Sequence, residues 1–313
     1  MRICIYGAGA IGGHLAARYA AAGMDVSVIA RGPHLAAIKA DGLTLETAQG
    51  TTTHRLRASA DPAELGEQDA VIVAVKATAI ATMAEGLKPL MRPHTPIVFA
   101  LNGIPWWYAD EIRGTAGPIA RAVERASVIG CVVNSANTVV APGVIHNDTH
   151  NNRFIMGELD GGLSDRLVAL TDGLTAEGVK GEATGDIRAA VWGKLLRNAM
   201  SGSVACLTGA NGREIAGDPD LAAICLTIAR EVTAVAAALG IRAVFDPAQL
   251  RPENYTTHKA SILQDLELGR PMEIDAIAGA VQEVGRLHGV PTPTLDIVHA
   301  LIRKRAALLG LYP

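Results

Sequence analysis

Six residues near the N-terminus limit the choice of fold more than any others: Gly7, Ala8, Gly9, Ala10, Ile11 and Gly12 make a GxGxxG turn. The run before it, Arg2–Tyr6, favours a β-strand, and residues 11–22 read as a small-residue helix closed by Gly23. Residues 25–30 form a second strand. The order and length are those of a parallel β-turn-α-β unit. In that setting Gly7 permits the tight turn, Gly9 lets a pyrophosphate approach the backbone, and Gly12 lets helix and strand pack closely. The helix N-terminus then offers N–H groups and a positive dipole end to phosphates. The second strand ends Ile29-Ala30-Arg31-Gly32, with no acid to hold a ribose 2′-hydroxyl. Arg31 offers a cation to a 2′-phosphate instead, which favours NADP over NAD. The plainer alternative for Arg31 is a solvated loop charge.

Residues 70–75 and Ile97–Ala100 are further apolar strands, so the pattern is that of an α/β protein with a doubly wound sheet. Lys76 and Asn102 follow these strands, at the carboxyl edge where open sheets bind ligands. Lys76 suits a phosphate or a carboxylate, and Asn102 suits a nicotinamide ribose or a polar substrate group. Their ordinary alternatives are a loop lysine and an Asn-Gly turn. Residues 127–133, 144–146 and 153–156 are shorter strands, expected to extend the same sheet domain in antiparallel or mixed fashion. Beyond residue 185 the period changes to 3.6, with helices over 187–200, 219–239 and 270–288. The expected architecture is an N-terminal Rossmann-type domain over residues 1–185 and an all-helical C-terminal domain over 186–313.

Composition bounds the function. With 313 residues, 49% of them hydrophobic and 19% charged, the chain can bury two cores. A net charge of −3 without basic runs argues against a nucleic-acid partner. No basic segment with a cleavage site is seen, and no uninterrupted apolar run reaches the roughly 20 residues of a membrane span. A cytoplasmic protein without membrane attachment is expected. Cys4, Cys131, Cys206 and Cys225 are far apart, which points to buried reduced thiols rather than disulfides or a zinc knuckle. His146 and His150 read as loop histidines, so no metal is expected. Alanine- and leucine-rich C-terminal helices could bury a homodimer interface or equally form the domain core.

The helical half carries its own polar groups. Lys194 and Asn198 lie four residues apart in Val191-Trp192-Gly193-Lys194-Leu195-Leu196-Arg197-Asn198 and share a helix face, while Leu195 and Leu196 point to the core. A lysine in a cleft can polarise a ketone and protonate the nascent alkoxide, whereas a surface lysine would do neither. Further on, Gly269-Arg270-Pro271 breaks one helix and Pro271 is placed to start the next. Glu273 and Asp275 then fall in that helix's first turns, where acids suit the dipole. Alternatively, Glu273 pairs with Lys194 or bonds the cofactor.

In chain order, the GAGAIG turn, Arg31, the Lys76 of VAVKA, the Asn102 of LNG, the WGKLLRN helix and SILQDLELGRPMEIDAI from Ser261 together resemble the ketopantoate (2-dehydropantoate) reductase family. The resemblance runs through nearly the whole chain. It implies NADPH-dependent reduction of a small 2-oxo acid to a 2-hydroxy acid, most directly ketopantoate to pantoate in pantothenate biosynthesis. By the same resemblance Lys194 is the general acid, Asn102 bridges nicotinamide and substrate, and Asn198 and Ser261 bond the substrate. Glu273 holds cofactor and active-site geometry, and Lys76 and Arg31 serve NADP. Asn211 corresponds to a further substrate asparagine, one position out of register. Three departures stand out: Gly202 where the family often has asparagine, Leu101 where glutamine is frequent, and the bulky Ile104-Pro105-Trp106-Trp107-Tyr108. They open the alternative of a related reductase for a different, larger or more apolar 2-oxo acid. A non-catalytic NADP-binding regulatory protein is the other alternative, against which the retention of Lys194 and Glu273 argues.

Overall fold

Short apolar runs punctuated by glycine build the first unit, residues 1–101 and 105–187, in the computed structural model, which describes residues 1–76, 79–117, 119–149, 152–255 and 257–312. Its strands and helices follow in order: β1 (Arg2–Tyr6), α1 (Ala10–Ala21), β2 (Asp25–Ile29), α2 (Gly32–Asp41), β3 (Leu43–Thr47), β4 (Gly50–His54), β5 (Arg57–Ser59), β6 (Ala70–Val73), α3 (Ile80–Leu87), β7 (Ile97–Ala100), α4 (Trp106–Arg113), β8 (Val128–Asn134), β9 (Asn137–Ala141), β10 (Val144–Asn147), β11 (Asn152–Glu158), α5 (Asp165–Asp172) and β12 (Val179–Ala183). Eight strands form one sheet in the order β12-β11-β8-β7-β6-β1-β2-β5. From β5 to β8 all neighbours are parallel; β11 runs antiparallel to β8 and parallel to β12. Every residue of β6 and β7 is buried, as expected of strands covered on both faces. The winding reverses between β1 and β6, which sets a topological switch point beside the glycine turn.

The doubly wound α/β sheet therefore agrees with the sequence pattern, but two details differ. The strand expected over 70–75 stops at Val73, so Lys76 lies three residues beyond it. The strand at 144–146 lies in the same unit, as expected, but outside its main sheet. It belongs to a second sheet, β4-β3-β10-β9, in which β10 runs parallel to β3. This sheet buries Leu43, Leu45 and Ile145 in the core, and on its exposed side the Thr44 and Thr53 hydroxyls meet at 2.9 Å.

The second unit comprises residues 102–104 and the chain from 188 onward. It is helical: the rest of α6 (Ile187–Arg197), α7 (Ser203–Thr208), α8 (Gly212–Gly217), α9 (Pro219–Ala238), α10 (Ser261–Glu267), α11 (Ala280–Leu287) and α12 (Pro293–Leu308). Among the described residues no strand follows β12. Two π turns interrupt the helical run, Asn198–Gly202 between α6 and α7, and Asp275–Gly279 ahead of α11. The helix expected over 187–200 is present, widens into a π turn from Asn198 and continues to Thr208. The one expected from Pro271 begins only at Ile274, so Glu273 precedes it rather than lying in its first turn.

Among the described residues, α9 alone has the length and apolarity of a membrane span. Its centre is nevertheless polar and engaged. The Glu231 carboxylate accepts the backbone N–H groups of Thr294 and Leu295, both at 2.9 Å, and so caps α12. Cys225, Ile228, Val232 and Val235 on α9 are buried. All four cysteines are free and buried, in line with the expectation of buried thiols.

A polar cluster joins α1 to the turns around β9 and β11. The buried His14 ring meets the Ser135 hydroxyl at 3.2 Å through Nδ1 and accepts from Arg18 Nε at 3.1 Å through Nε2. Burial, aided by the Arg18 charge, pushes the His14 pKa down to about 3 from 6.5. Below pH 6.5 the unfolded chain therefore binds a proton that the folded chain refuses. Stability from this site is complete above that pH and is lost as pH falls toward 3, by about 1.4 kcal/mol per pH unit. Urea titrations between pH 7 and 4 should show this slope, and His14→Gln should flatten it even if it lowers stability at neutral pH.

Candidate active site

The glycine turn is built from backbone meeting backbone. Gly7 has φ +101, and its N–H and that of Ala8 both donate to the Ile29 carbonyl, at 3.1 and 3.0 Å. A Cβ on Gly7 would stand 2.7 Å from Val75 Cγ1, and one on Gly12 only 1.9 Å from the Gly7 carbonyl oxygen. Gly9, by contrast, faces open space, with nothing within 4 Å of where its Cβ would be. Ala8 is buried, and Ala10 and Ile11 begin α1. No side chain caps α1 and no acid lies in its first turn, so its N-terminal donors suit an anion. These residues fit the diphosphate of a dinucleotide.

Two contributors were not visible as motifs. Gly13 lets β10 approach α1, since a Cβ there would lie 2.6 Å from Ile145 Cγ1. His34 ties the turn to the second sheet. Its Nδ1 accepts the Gly143 N–H at 2.9 Å, which leaves the proton on Nε2 to be donated to the Ala8 carbonyl at 2.7 Å. His34 lies 26 residues from Ala8 with no spacing signal to link them. Arg31 is exposed at the N-cap position of α2; burial raises the Tyr6 pKa, and the nearby Arg31 charge offsets this only in part. Lys76 is exposed beyond β6.

In the helical unit the decisive contact is between Lys194 and Asn102. Lys194 Nζ donates to Asn102 Oδ1 at 2.6 Å, which turns the Asn102 Nδ2 donors away from the lysine. Lys194 lies on α6, whose Val191, Trp192, Leu195 and Leu196 are buried and leave the half-buried Lys194 and Asn198 on the adjoining face. Asn102 is held by its neighbours. Gly103 has φ +76, and a Cβ there would stand 2.1 Å from the Ala276 carbonyl oxygen. That oxygen accepts the Ile104 N–H at 3.2 Å. Ala276 belongs to the second π turn, which packs against the first one, begun by Asn198. Such turns re-aim backbone groups and are frequent at functional sites.

The remaining candidates are placed as follows. Ser261 is the exposed first residue of α10. Its neighbour Ile262 approaches Gly202, where an added Cβ would lie 3.3 Å from Ile262 Cγ2. Glu273 is half-buried, one residue ahead of the helix. Asn211 caps α8: its Oδ1 accepts the N–H groups of Arg213 and Glu214, while Glu214 Oε2 accepts the Asn211 N–H at 2.8 Å. The Asn-x-x-Glu spacing carries that capping-box signal in the sequence. His146 is not a loop histidine: it sits half-buried on β10, with Glu46 and Asp148 each 3.2 Å from one ring nitrogen. His150 lies outside the described residues. Among the described residues no group of acids, histidines and cysteines could hold a metal.

A GxGxxG turn at the switch point of a parallel sheet, with a lysine–asparagine pair on a helical unit of the same chain, defines a Rossmann-type oxidoreductase. The chain belongs to the ketopantoate reductase family. The family described as "Ketopantoate reductase PanE/ApbA" matches residues 3–161, and its "C terminal" counterpart matches 186–306. A 2-dehydropantoate 2-reductase from Mesorhizobium japonicum is 40% identical over 326 aligned residues, covering 100% of both chains. An inferred ketopantoate reductase from Ralstonia solanacearum superposes with a TM-score of 0.90 at 40% identity, over 99% of each chain. The same fold, at 23% identity and a TM-score of 0.87, occurs in D-mandelate dehydrogenase solved with NADH and anilino(oxo)acetate, covering 99% of this chain and 100% of that one.

The close approach at Gly103 has a measurable cost. Gly103→Ala should destabilise the protein by roughly 1–3 kcal/mol, through strain at positive φ and a clash with the Ala276 carbonyl. Denaturant unfolding reads the change, and wild-type stability would mean that the segment is not held as described.

Proposed function

We propose that the protein reduces 2-dehydropantoate to pantoate with NADPH, with Lys194 as the general acid. The observation that carries this is the 2.6 Å bond from Lys194 Nζ to Asn102 Oδ1. It fixes the Lys194 ammonium against Asn102, in the short segment that follows β7 in sequence. The name of the Mesorhizobium relative supports the substrate. The glycine turn and the N-terminus of α1 would hold the diphosphate, Arg31 the 2′-phosphate, and Lys76 a further phosphate. When bound, the cofactor supplies the hydride. Lys194 stabilises negative charge developing on the ketone oxygen and gives that oxygen a proton. Asn102 presents its Nδ2 donors to substrate and nicotinamide, and Asn198 and Ser261 bond the substrate's polar groups. Glu273 maintains the geometry around the lysine. Asn211 contributes through its Nδ2, since its carbonyl oxygen is engaged in the cap. Formation of pantoate would place the protein in pantothenate biosynthesis, and its four free, buried thiols suit the reducing cytoplasm.

A second reading concerns the substrate. Gly202 is buried beside Ile262, so a position where the family often carries a carboxamide offers an apolar surface. Losing a hydrogen-bonding side chain can shift preference between substrates by orders of magnitude. The fold itself also serves a mandelate dehydrogenase. A larger or more apolar 2-oxo acid is the corresponding alternative.

NADPH oxidation followed at 340 nm with ketopantoate tests the first reading. Turnover should fall by about 10²–10⁴-fold in Lys194→Ala. Absence of turnover with ketopantoate, together with reduction of another 2-oxo acid, would select the second reading. For the cofactor, Arg31→Ala should weaken NADPH binding roughly ten- to a hundredfold and leave NADH binding nearly unchanged, as for loss of one charge-assisted contact. Equal effects on both cofactors would remove Arg31 as the 2′-phosphate ligand.

A further inference from the structure

The last residues of the chain are tied back into the helical unit. Gly310, at φ +70, turns the chain so that the Leu311 N–H reaches the Ala306 carbonyl at the end of α12, at 2.9 Å. Together with the Leu309 and Gly310 amides on the Ala306 and Ala307 carbonyls, that bond closes the helix. Two more reach far back in sequence. The Leu311 carbonyl accepts the Met272 N–H at 3.0 Å, and the Tyr312 hydroxyl donates to Asp275 Oδ2 at 2.7 Å. The buried His299 of α12 faces the other carboxylate oxygen, with Nε2 to Oδ1 at 3.4 Å, and the Arg303 guanidinium lies over the Tyr312 ring at 5.1 Å. Capping does not require these contacts, and an acid at Asp275 would suit the helix dipole without a hydroxyl on it. What they do is grip residues 272 and 275. Glu273 lies between the two gripped residues, and Ala276, whose carbonyl receives the Ile104 amide, comes next.

We infer that Tyr312 and Asp275 are positioning residues, through which the C-terminal tail clamps the 272–276 segment and so holds Glu273 and, by way of the Ala276 carbonyl, Asn102 in register with Lys194. This rests on the proposal above that Lys194 and Asn102 act on a 2-oxo acid. The chain of contacts is short: the tail to Asp275, Asp275 to its neighbour Ala276, the Ala276 carbonyl to Ile104, and from there two residues to the Asn102 side chain that meets Lys194. A displacement of about 1 Å at reacting groups can cost on the order of a hundredfold in rate, so a modest loosening is measurable.

The test uses the full chain with Tyr312→Phe, Asp275→Asn and Asp275→Ala. Three quantities are read: kcat and KM with whichever 2-oxo acid the wild type reduces, hydrogen exchange of the Ile104 amide, and Tm. Tyr312→Phe should lower kcat about tenfold with little change in cofactor KM, and should speed Ile104 exchange several-fold. Asp275→Asn keeps an acceptor for the tyrosine and should retain most of the wild-type values, whereas Asp275→Ala should resemble Tyr312→Phe. Should Asp275→Ala not fold, the loss of a single oxygen in Tyr312→Phe decides. Unchanged kcat in Tyr312→Phe overturns the inference even if Tm falls, because the tail would then be structural only. A lower kcat with wild-type Ile104 exchange also overturns it, since the effect would not pass through Ala276. If the wild type reduces no 2-oxo acid, the functional reading fails by itself, and the exchange of Ile104 then judges the clamp alone.

Discussion

A single backbone hydrogen bond, from the Ile104 amide to the Ala276 carbonyl, makes three residues of a strand loop part of the helical unit. Without it, Asn102 would be an ordinary residue of an Asn-Gly turn. With it, the asparagine side chain lies against Lys194. The bond has two preconditions. A carbonyl can serve a second donor because it has two lone pairs, and a π turn directs that carbonyl away from an α-helical course. Gly103 lets the backbones come close, since any side chain there would collide with Ala276. The two π turns touch, so the element that carries Asn198 and the element that anchors Asn102 brace each other. Irregular helix geometry, which costs some hydrogen-bond quality, is concentrated where polar side chains must be aimed.

The sheet unit solves a related problem with glycine. Gly7 and Gly12 bring strand, turn and helix within contact distances that no side chain would allow, while Gly9 leaves its outer face open. The turn also needs lateral support, and it comes from a distance. His34 spans from Ala8 to Gly143 with one ring, and Gly13 admits Ile145 of the second sheet against α1. The small sheet thus braces the turn: Leu43, Leu45 and Ile145 share the buried core with Leu15 and Ala16 of α1, and His34 and Gly13 add close contacts to it.

How much of this could be read from the residues depended on range. The parallel strands were legible because β1, β6 and β7 are apolar runs ended by glycine or polar residues, a local signal. The second sheet was not, because its β4 is Gly-Thr-Thr-Thr-His and shows no alternation of buried and exposed side chains. Its pairing depends on partners distant in sequence, as β10 with β3 shows. The π turns were hidden for another reason: residues 187–208 keep a helical pattern throughout, and a widened turn leaves little trace in hydrophobic period. The helix after Gly269 starts later than Pro271 would indicate: the Met272 N–H is taken by the Leu311 carbonyl of the tail. In the site, the types and order of Lys194, Asn102, Asn198, Ser261 and Glu273 were visible. The hydrogen bond that joins the first two, across 92 residues, was not.

Residues 102–104 lie within the sequence of the sheet unit yet belong to the helical one. The chain enters the helical unit, leaves it, and returns for good only after Ile187. A fragment cut near that point would keep the lysine helix and lose the asparagine that meets it. The complementary fragment would carry that asparagine with no Ala276 carbonyl to hold it. Joining the two fragments end to end would restore the pair only if residues 102–104 again reached the Ala276 carbonyl.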